Sequence, residues 1–172
     1  MFEGSGAGIY FEKCAHEEVI KRLRGSGLTI QKITAKTTKT DPENIKCNIT
    51  RKVLIRTWND ITNLEPGEYG LPIVPNFSLF DSVVRRGGTD QHLVFQMTTQ
   101  ELGHSSRAVT REQELFNAFT DQGKIKMINV LHPDNYEGFH ADPNLPTDRW
   151  EQFKACGVAQ AMTGQKRKSP QK

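Results

Sequence analysis

The chain has few of the residues from which the simplest chemical sites are built. Its 172 residues contain three cysteines, Cys14, Cys47 and Cys156. They are odd in number, widely spaced and never part of a Cys-x-x-Cys pair. That excludes a disulfide framework and a cysteine-based zinc site, and such sparse usage fits a reducing compartment. No apolar run approaches the length needed to cross a bilayer, so no membrane partner is expected. The first ten residues, MFEGSGAGIY, lack a basic stretch followed by an apolar one and do not read as a secretion signal. Charge of one sign is not in excess either. Lys and Arg number 23 against 20 Asp and Glu, a net charge of +3. A charge this small argues weakly for an anionic partner, and its distribution matters more.

What is present suits one globular domain. Hydrophobic residues make up 35% and charged residues 25% of a chain long enough to bury a real core. We expect a single domain over residues 1–162, followed by a polar, disordered tail over 163–172.

The stretch GIYFEKCAHEEVIKRLRGSG predicts a first helix. Phe11, Ala15, Val19 and Leu23 step by four, Cys14 and Ile20 widen the stripe, and Gly25 and Gly27 end it. Residues 28–36 predict a strand, and residues 45–58 a strand or a bent pair. The proline- and glycine-rich stretch 63–76 reads as a loop. A hairpin follows, with strands near 78–85 and 92–98. Residues 110–123 predict a helix with a Thr110–Gln113 capping box and a stop at Gly123. Residues 124–132 predict a strand, the segment 133–146 a long loop, and residues 148–162 a final helix capped by Thr147. Helices and strands in this order predict an α/β fold, a mixed central β-sheet flanked by helices on both faces.

The hairpin, LFDSVVRRGGTDQHLVFQMTT, holds the most specific signal. With its turn on Gly88 and Thr89, facing residues sum to 177: Val84 meets Leu93, Val83 meets Val94, and Asp81 meets Gln96. Alternation then gathers Asp81, Gln96 and Thr98 on one face. Phe80, Val84, Leu93, Phe95 and Met97 form the other, apolar face. A carboxylate beside an oxygen donor can seat a hard divalent cation such as magnesium. The plainer alternative is a polar pair whose hydrogen bonds serve only the sheet.

Several of these residues resemble a known family. PNFSLFDSVV, then LVFQMTT and a following His104, together with YFEKCAHEEVIKRL and MINVLHP, resemble the C-terminal domains of Crinkler effectors and retrotransposon-hot-spot proteins. Those domains are regarded as divergent members of the PD-(D/E)xK, restriction-endonuclease-like superfamily. The resemblance spans roughly residues 8–140. It implies a restriction-endonuclease-like sheet and a Mg²⁺-dependent DNA nuclease, with Mn²⁺ as a substitute. Asp81, Gln96 and Glu12 would be the metal ligands, and Thr98 would stand where most active members carry a catalytic lysine. A threonine carries no charge and cannot stabilise developing negative charge as an ammonium does. Lys13 and His104 are candidates to supply that group. The departure at Thr98 keeps open a second expectation, a nuclease-fold module that no longer cuts and binds DNA or a host nuclear protein. The resemblance also implies delivery by a microbe and action in the host nucleus. Its upstream delivery segment is not recognised here, as expected of an excised domain.

Other signals are weaker. Arg85 and Arg86 at the hairpin tip, with Arg51 and Lys52, are candidate phosphate contacts on double-stranded DNA. The KRLR run (21–24) reads as a solvated face. His16, one turn after Glu12, reads as a solvated pair unless the resemblance holds. His132, Asp134, His140 and Asp142 match no compact zinc spacing and read as surface loop. Lys166, Arg167 and Lys168 form a candidate nuclear-import signal.

Overall fold

The computed structural model describes residues 6–34, 40–74, 77, 79–98, 111–119 and 123–157. The expected tail, Thr110, His104 and residues 158–162 lie outside the described residues. The chain is α/β. Eight strands form one mixed sheet in the order β2-β1-β8-β7-β6-β5-β4-β3. In chain order the elements are α1 (Gly6–Arg24), β1 (Leu28–Lys32), β2 (Glu43–Ile45), β3 (Arg51–Ile55), α2 (Trp58–Thr62), β4 (Glu68–Pro72), β5 (Ser82–Val84), β6 (Leu93–Thr98), α3 (Glu112–Ala118), β7 (Ile125–Leu131), α4 (Pro133–Tyr136) and β8 (Trp150–Cys156).

The first helix forms as its periodicity predicts. Phe11, Ala15, Val19, Ile20 and Leu23 are buried against Leu93, Phe95 and Met97 of β6 and Ile128 and Val130 of β7. Its last turn closes on Gly27, whose N–H donates to Arg22 O at 2.7 Å. Gly27 has φ +94°, and a Cβ there would fall 1.9 Å from the Asn44 side chain, so only glycine fits. The KRLR run is more than a solvated face. Arg22 donates to the Cys156 and Gly157 carbonyls, and Arg24 to Ile49 O at 2.7 Å, pinning the helix end to the sheet.

The opposite face of the sheet is covered by α2 and α3. Val83, Val94, Ile125, Met127 and Trp150 pack there with Ile61, Leu115 and Phe119. Both faces are therefore buried, and β5, β6 and β7 are buried along their whole lengths. The hairpin register is the expected one: Ser82 pairs with Phe95, Val83 with Val94 and Val84 with Leu93. The first strand is shorter than expected, and Phe80 joins Leu79 in the α3-side core because strand alternation has not yet begun.

Three expectations are overturned. The final helix is instead β8, paired in parallel with β7 from Trp150 to Cys156. Trp150, Phe153 and Ala155 are buried, and β7 would otherwise be left with an open edge. The loop expected over 63–76 contains β4. Glycine at position 70 is needed there, because a Cβ would lie 2.9 Å from Val83 Cγ2 and 3.1 Å from Ile55 Cγ1. Pro72 ends the strand, and the Ile73 N–H takes the next bond, to Ile55 O at 3.0 Å. The helix expected to stop at Gly123 ends at Ala118, and its N-cap, Arg111, makes no side-chain cap. Two short helices arise within expected strand or loop. At α2, Thr57 and Asp60 form a reciprocal capping box, and α4 begins at Pro133 with His132 as its cap.

Candidate functional site

The site lies where the hairpin opens and α1 crosses it. Asp81 stands one residue before β5. Its N–H donates to Phe95 O at 2.8 Å, and its Oδ2 accepts the Met97 N–H at 2.6 Å. The carboxylate thus takes the place of a further ladder bond, because β5 has not yet begun beside Met97. This is a local, sequence-encoded device: an aspartate side chain serves as a surrogate backbone acceptor.

That placement takes Asp81 partly out of water. Burial pushes its carboxyl up from 3.8 to about 6. The Met97 hydrogen bond opposes the shift, the negative charge of Glu12 adds to it, and His16 opposes it. Asp81, Glu12 and His16 are therefore within electrostatic reach of one another. Glu12 and His16 lie one turn apart on α1, with His16 Nε2 3.8 Å from Glu12 Oε1.

His16 is not the solvated surface residue that its spacing suggested. Its side chain is 12% exposed, and its Nδ1 is 2.8 Å from the hydroxyl of Tyr69 on β4. Tyr69 is fully buried and stacks on Phe95. Its hydroxyl also receives a hydrogen bond from Ser82 Oγ at 2.7 Å, and Ser82 is fully buried on β5. Burial raises the Tyr69 phenol well above its ordinary range, so it stays protonated. Glu12, His16, Tyr69 and Ser82 form one chain of contacts from the surface of α1 to the centre of the sheet. Nothing in the sequence singles out Tyr69 or Ser82: Tyr69 falls in the stretch expected as a loop, and Ser82 is one polar residue within an expected strand.

The other expected site residues are disposed differently. Gln96 and Thr98 are buried on β6, 5% and 8% exposed. Leu93, Phe95 and Met97 face α1, so Gln96 and Thr98, with Val94, face the α3 side. The sheet stands between them and Glu12. The structure puts Asp81 within electrostatic reach of Glu12 and His16, but it does not bring Gln96 and Thr98 to the Glu12 side. Lys13 is exposed on α1.

The expected phosphate contacts are engaged within the fold. Arg51 bonds Glu68 at 2.6 Å, and Lys52 pairs with Glu17. Arg85 donates to Thr62 O at 3.1 Å and lies over the Phe119 ring. Arg86 pairs with Asp90 at 3.2 Å and donates to Gln91 O, organising the turn. The loop histidines stay as read: His132 caps α4, and Asp142 exchanges backbone bonds with the Gln152 amide.

Among the described residues no group of three or more His, Cys, Asp or Glu is placed to hold a metal. Two carboxylates are nevertheless a donor set that magnesium uses, since it keeps several waters and takes substrate phosphate oxygens. Asp81 and Glu12 are hard oxygen donors of that kind, and no cysteine or histidine cage for a softer metal is present among the described residues.

No family model, no curated protein and no solved structure matches the chain.

Proposed function

We propose that the chain is a metal-assisted phosphodiesterase acting on double-stranded DNA, with Asp81 and Glu12 as its acidic centre. The observation that carries this reading is that the Asp81 carboxylate, at the open end of the hairpin, is within electrostatic reach of the Glu12 carboxylate and of His16. A carboxyl raised to about 6 by burial and a like charge is poised to hold a cation, which would reverse both penalties. The mixed sheet with helices on both faces also agrees with the Crinkler-type, restriction-endonuclease-like resemblance.

When bound, Mg²⁺ would neutralise charge at the scissile phosphate and acidify an attacking water. Asp81 and Glu12 would hold it. The Met97 N–H fixes the Asp81 carboxylate through one oxygen. The same reading assigns the chain to a host nucleus after microbial delivery. It rests there on the resemblance and on the basic run 166–168, which lies outside the described residues.

The test is cleavage of supercoiled plasmid DNA with Mg²⁺ or Mn²⁺. The parent should cut, and Asp81→Ala and Glu12→Gln should each lower the rate by about 100-fold or more. A parent that never cuts, or an Asp81→Ala form that cuts equally, overturns the reading.

One observation favours a second reading. Thr98 carries no ammonium and faces the α3 side, away from Glu12. A module that binds DNA or a host nuclear protein without cutting is consistent with that. Retained DNA binding without cleavage under either metal would select it.

A further inference from the structure

The Ser82–Tyr69–His16 chain has a direction, and hydrogen counting gives it. Tyr69 has one hydroxyl hydrogen and two close partners, Ser82 Oγ at 2.7 Å and His16 Nδ1 at 2.8 Å. Ser82 also has one hydrogen, and the bond described for it is the one to Tyr69, inside a fully buried site. If Ser82 donates to the phenol oxygen, the Tyr69 hydrogen goes to His16 Nδ1. Every member is then satisfied. The reverse order would leave the buried Ser82 hydrogen without its described acceptor, which costs more than it returns. In the satisfied arrangement Nδ1 is an acceptor. The neutral ring therefore carries its hydrogen on Nε2, the nitrogen 3.8 Å from Glu12 Oε1.

We propose that Ser82 and Tyr69 are positioning residues that lock His16 in its Nε2–H tautomer, and that this N–H is a hydrogen-bond donor to a phosphodiester oxygen held beside Asp81 and Glu12. The second clause rests on the phosphodiesterase reading above; the tautomer lock does not. The role is one that the lysine position cannot fill here. Thr98 faces the α3 side, whereas His16 presents a donor on the carboxylate side. Three elements converge to hold the ring: α1 carries it, β4 supplies the phenol, and β5 supplies the serine. An edge-on contact with the Tyr69 ring, centroids 5.9 Å apart at 88°, restricts its rotation further. A histidine kept only for core packing would need neither a fixed tautomer nor a two-residue buried relay behind it.

Long-range ¹H–¹⁵N correlation NMR on the metal-free protein, at a pH where the ring is neutral, reads the tautomer directly. His16 should give the Nε2–H pattern. Tyr69→Phe keeps the ring packing and removes only the hydroxyl; in that variant His16 should shift to a mixture of tautomers. An Nδ1–H pattern in the parent overturns the proposal. So does an unchanged pattern in a folded Tyr69→Phe protein. If Tyr69→Phe does not fold, the parent spectrum decides alone, and an Nδ1–H pattern there overturns the proposal.

A short DNA duplex is then titrated into the metal-free protein. Movement of the His16 Nε2 resonance, with weaker binding by His16→Asn than by His16→Gln, supports the donor role, because glutamine retains a donor near the Nε2 position. An unmoved resonance with DNA bound overturns it, as does the absence of DNA binding. Failure of plasmid cleavage alone would count against the phosphodiesterase reading and leave the tautomer lock standing on its own spectrum.

Discussion

Asp81 Oδ2 accepts the Met97 N–H at 2.6 Å, and so a side chain completes a β-ladder that the backbone has not yet reached. The bond holds a carboxylate at the open end of a hairpin, where its charge is disfavoured by burial and by Glu12. Structure and candidate chemistry therefore make opposing demands on the same residue.

That opposition sets a pH dependence. The Asp81 carboxyl titrates near 6 in the folded chain and near 3.8 when unperturbed. Its folded value is raised, so its protonated form stabilises the fold fully below about pH 3.8. This contribution is lost as pH rises through about 6. The loss is at most about 3 kcal/mol. Asp81→Asn keeps an acceptor for Met97 and cannot ionise. Thermal melts should find it more stable than the parent at pH 8 and no more stable at pH 4. An equal difference at both pH values would refute the assignment.

Tyr69→Phe should destabilise the fold by about 1 to 3 kcal/mol, because it leaves Ser82 Oγ and His16 Nδ1 without the phenol between them. Ser82→Ala should cost less, since Tyr69 then still donates to His16. Urea denaturation of the two variants gives the order directly.

Gly70→Ala should cost about 1 to 3 kcal/mol by overpacking, since its new methyl meets Val83 and Ile55. Adding Val83→Ala removes the closest of these neighbours. The double variant should therefore be more stable than the sum of the single effects, a non-additivity that denaturant melts can measure.

Glu112 is buried and receives Arg149 through two nitrogens and Trp150 Nε1 at 2.6 Å. This one carboxylate ties α3 to the start of β8. Glu112→Ala should cost about 1 to 3 kcal/mol, measured by chemical denaturation, because it leaves the buried Trp150 N–H without its acceptor.

Lys52 is paired with Glu17 and so is partly neutralised as a phosphate contact. If this face meets DNA, Glu17→Gln should tighten binding severalfold at low salt and steepen the salt dependence by about one charge. Fluorescence anisotropy at a series of salt concentrations reads both. Unchanged affinity would remove Lys52 from the interface.

Much of this molecule is written locally. The four-residue stripe of α1 needs only Phe11, Ala15, Val19 and Leu23, and glycine at 27 marks its end. The hairpin register follows from its turn and its apolar alternation, because a one-residue slip would exchange its two faces. Asp81 stands out by residue type and spacing, and Glu12 only through the family resemblance. The tertiary structure decided the rest. Residues 150–156 become strand because β7 offers an edge, a non-local demand that outweighs local propensity. β4 hides among prolines and glycines because its close approach to Val83 and Ile55 calls for glycine at position 70. Gln96 and Thr98 share a strand with neighbours of the site yet face the α3 side, and only the positions of α1 and α3 say which face is which. His16 joins Tyr69 and Ser82 across 53 and 13 residues of chain, contacts that no periodicity encodes because three separate elements make them.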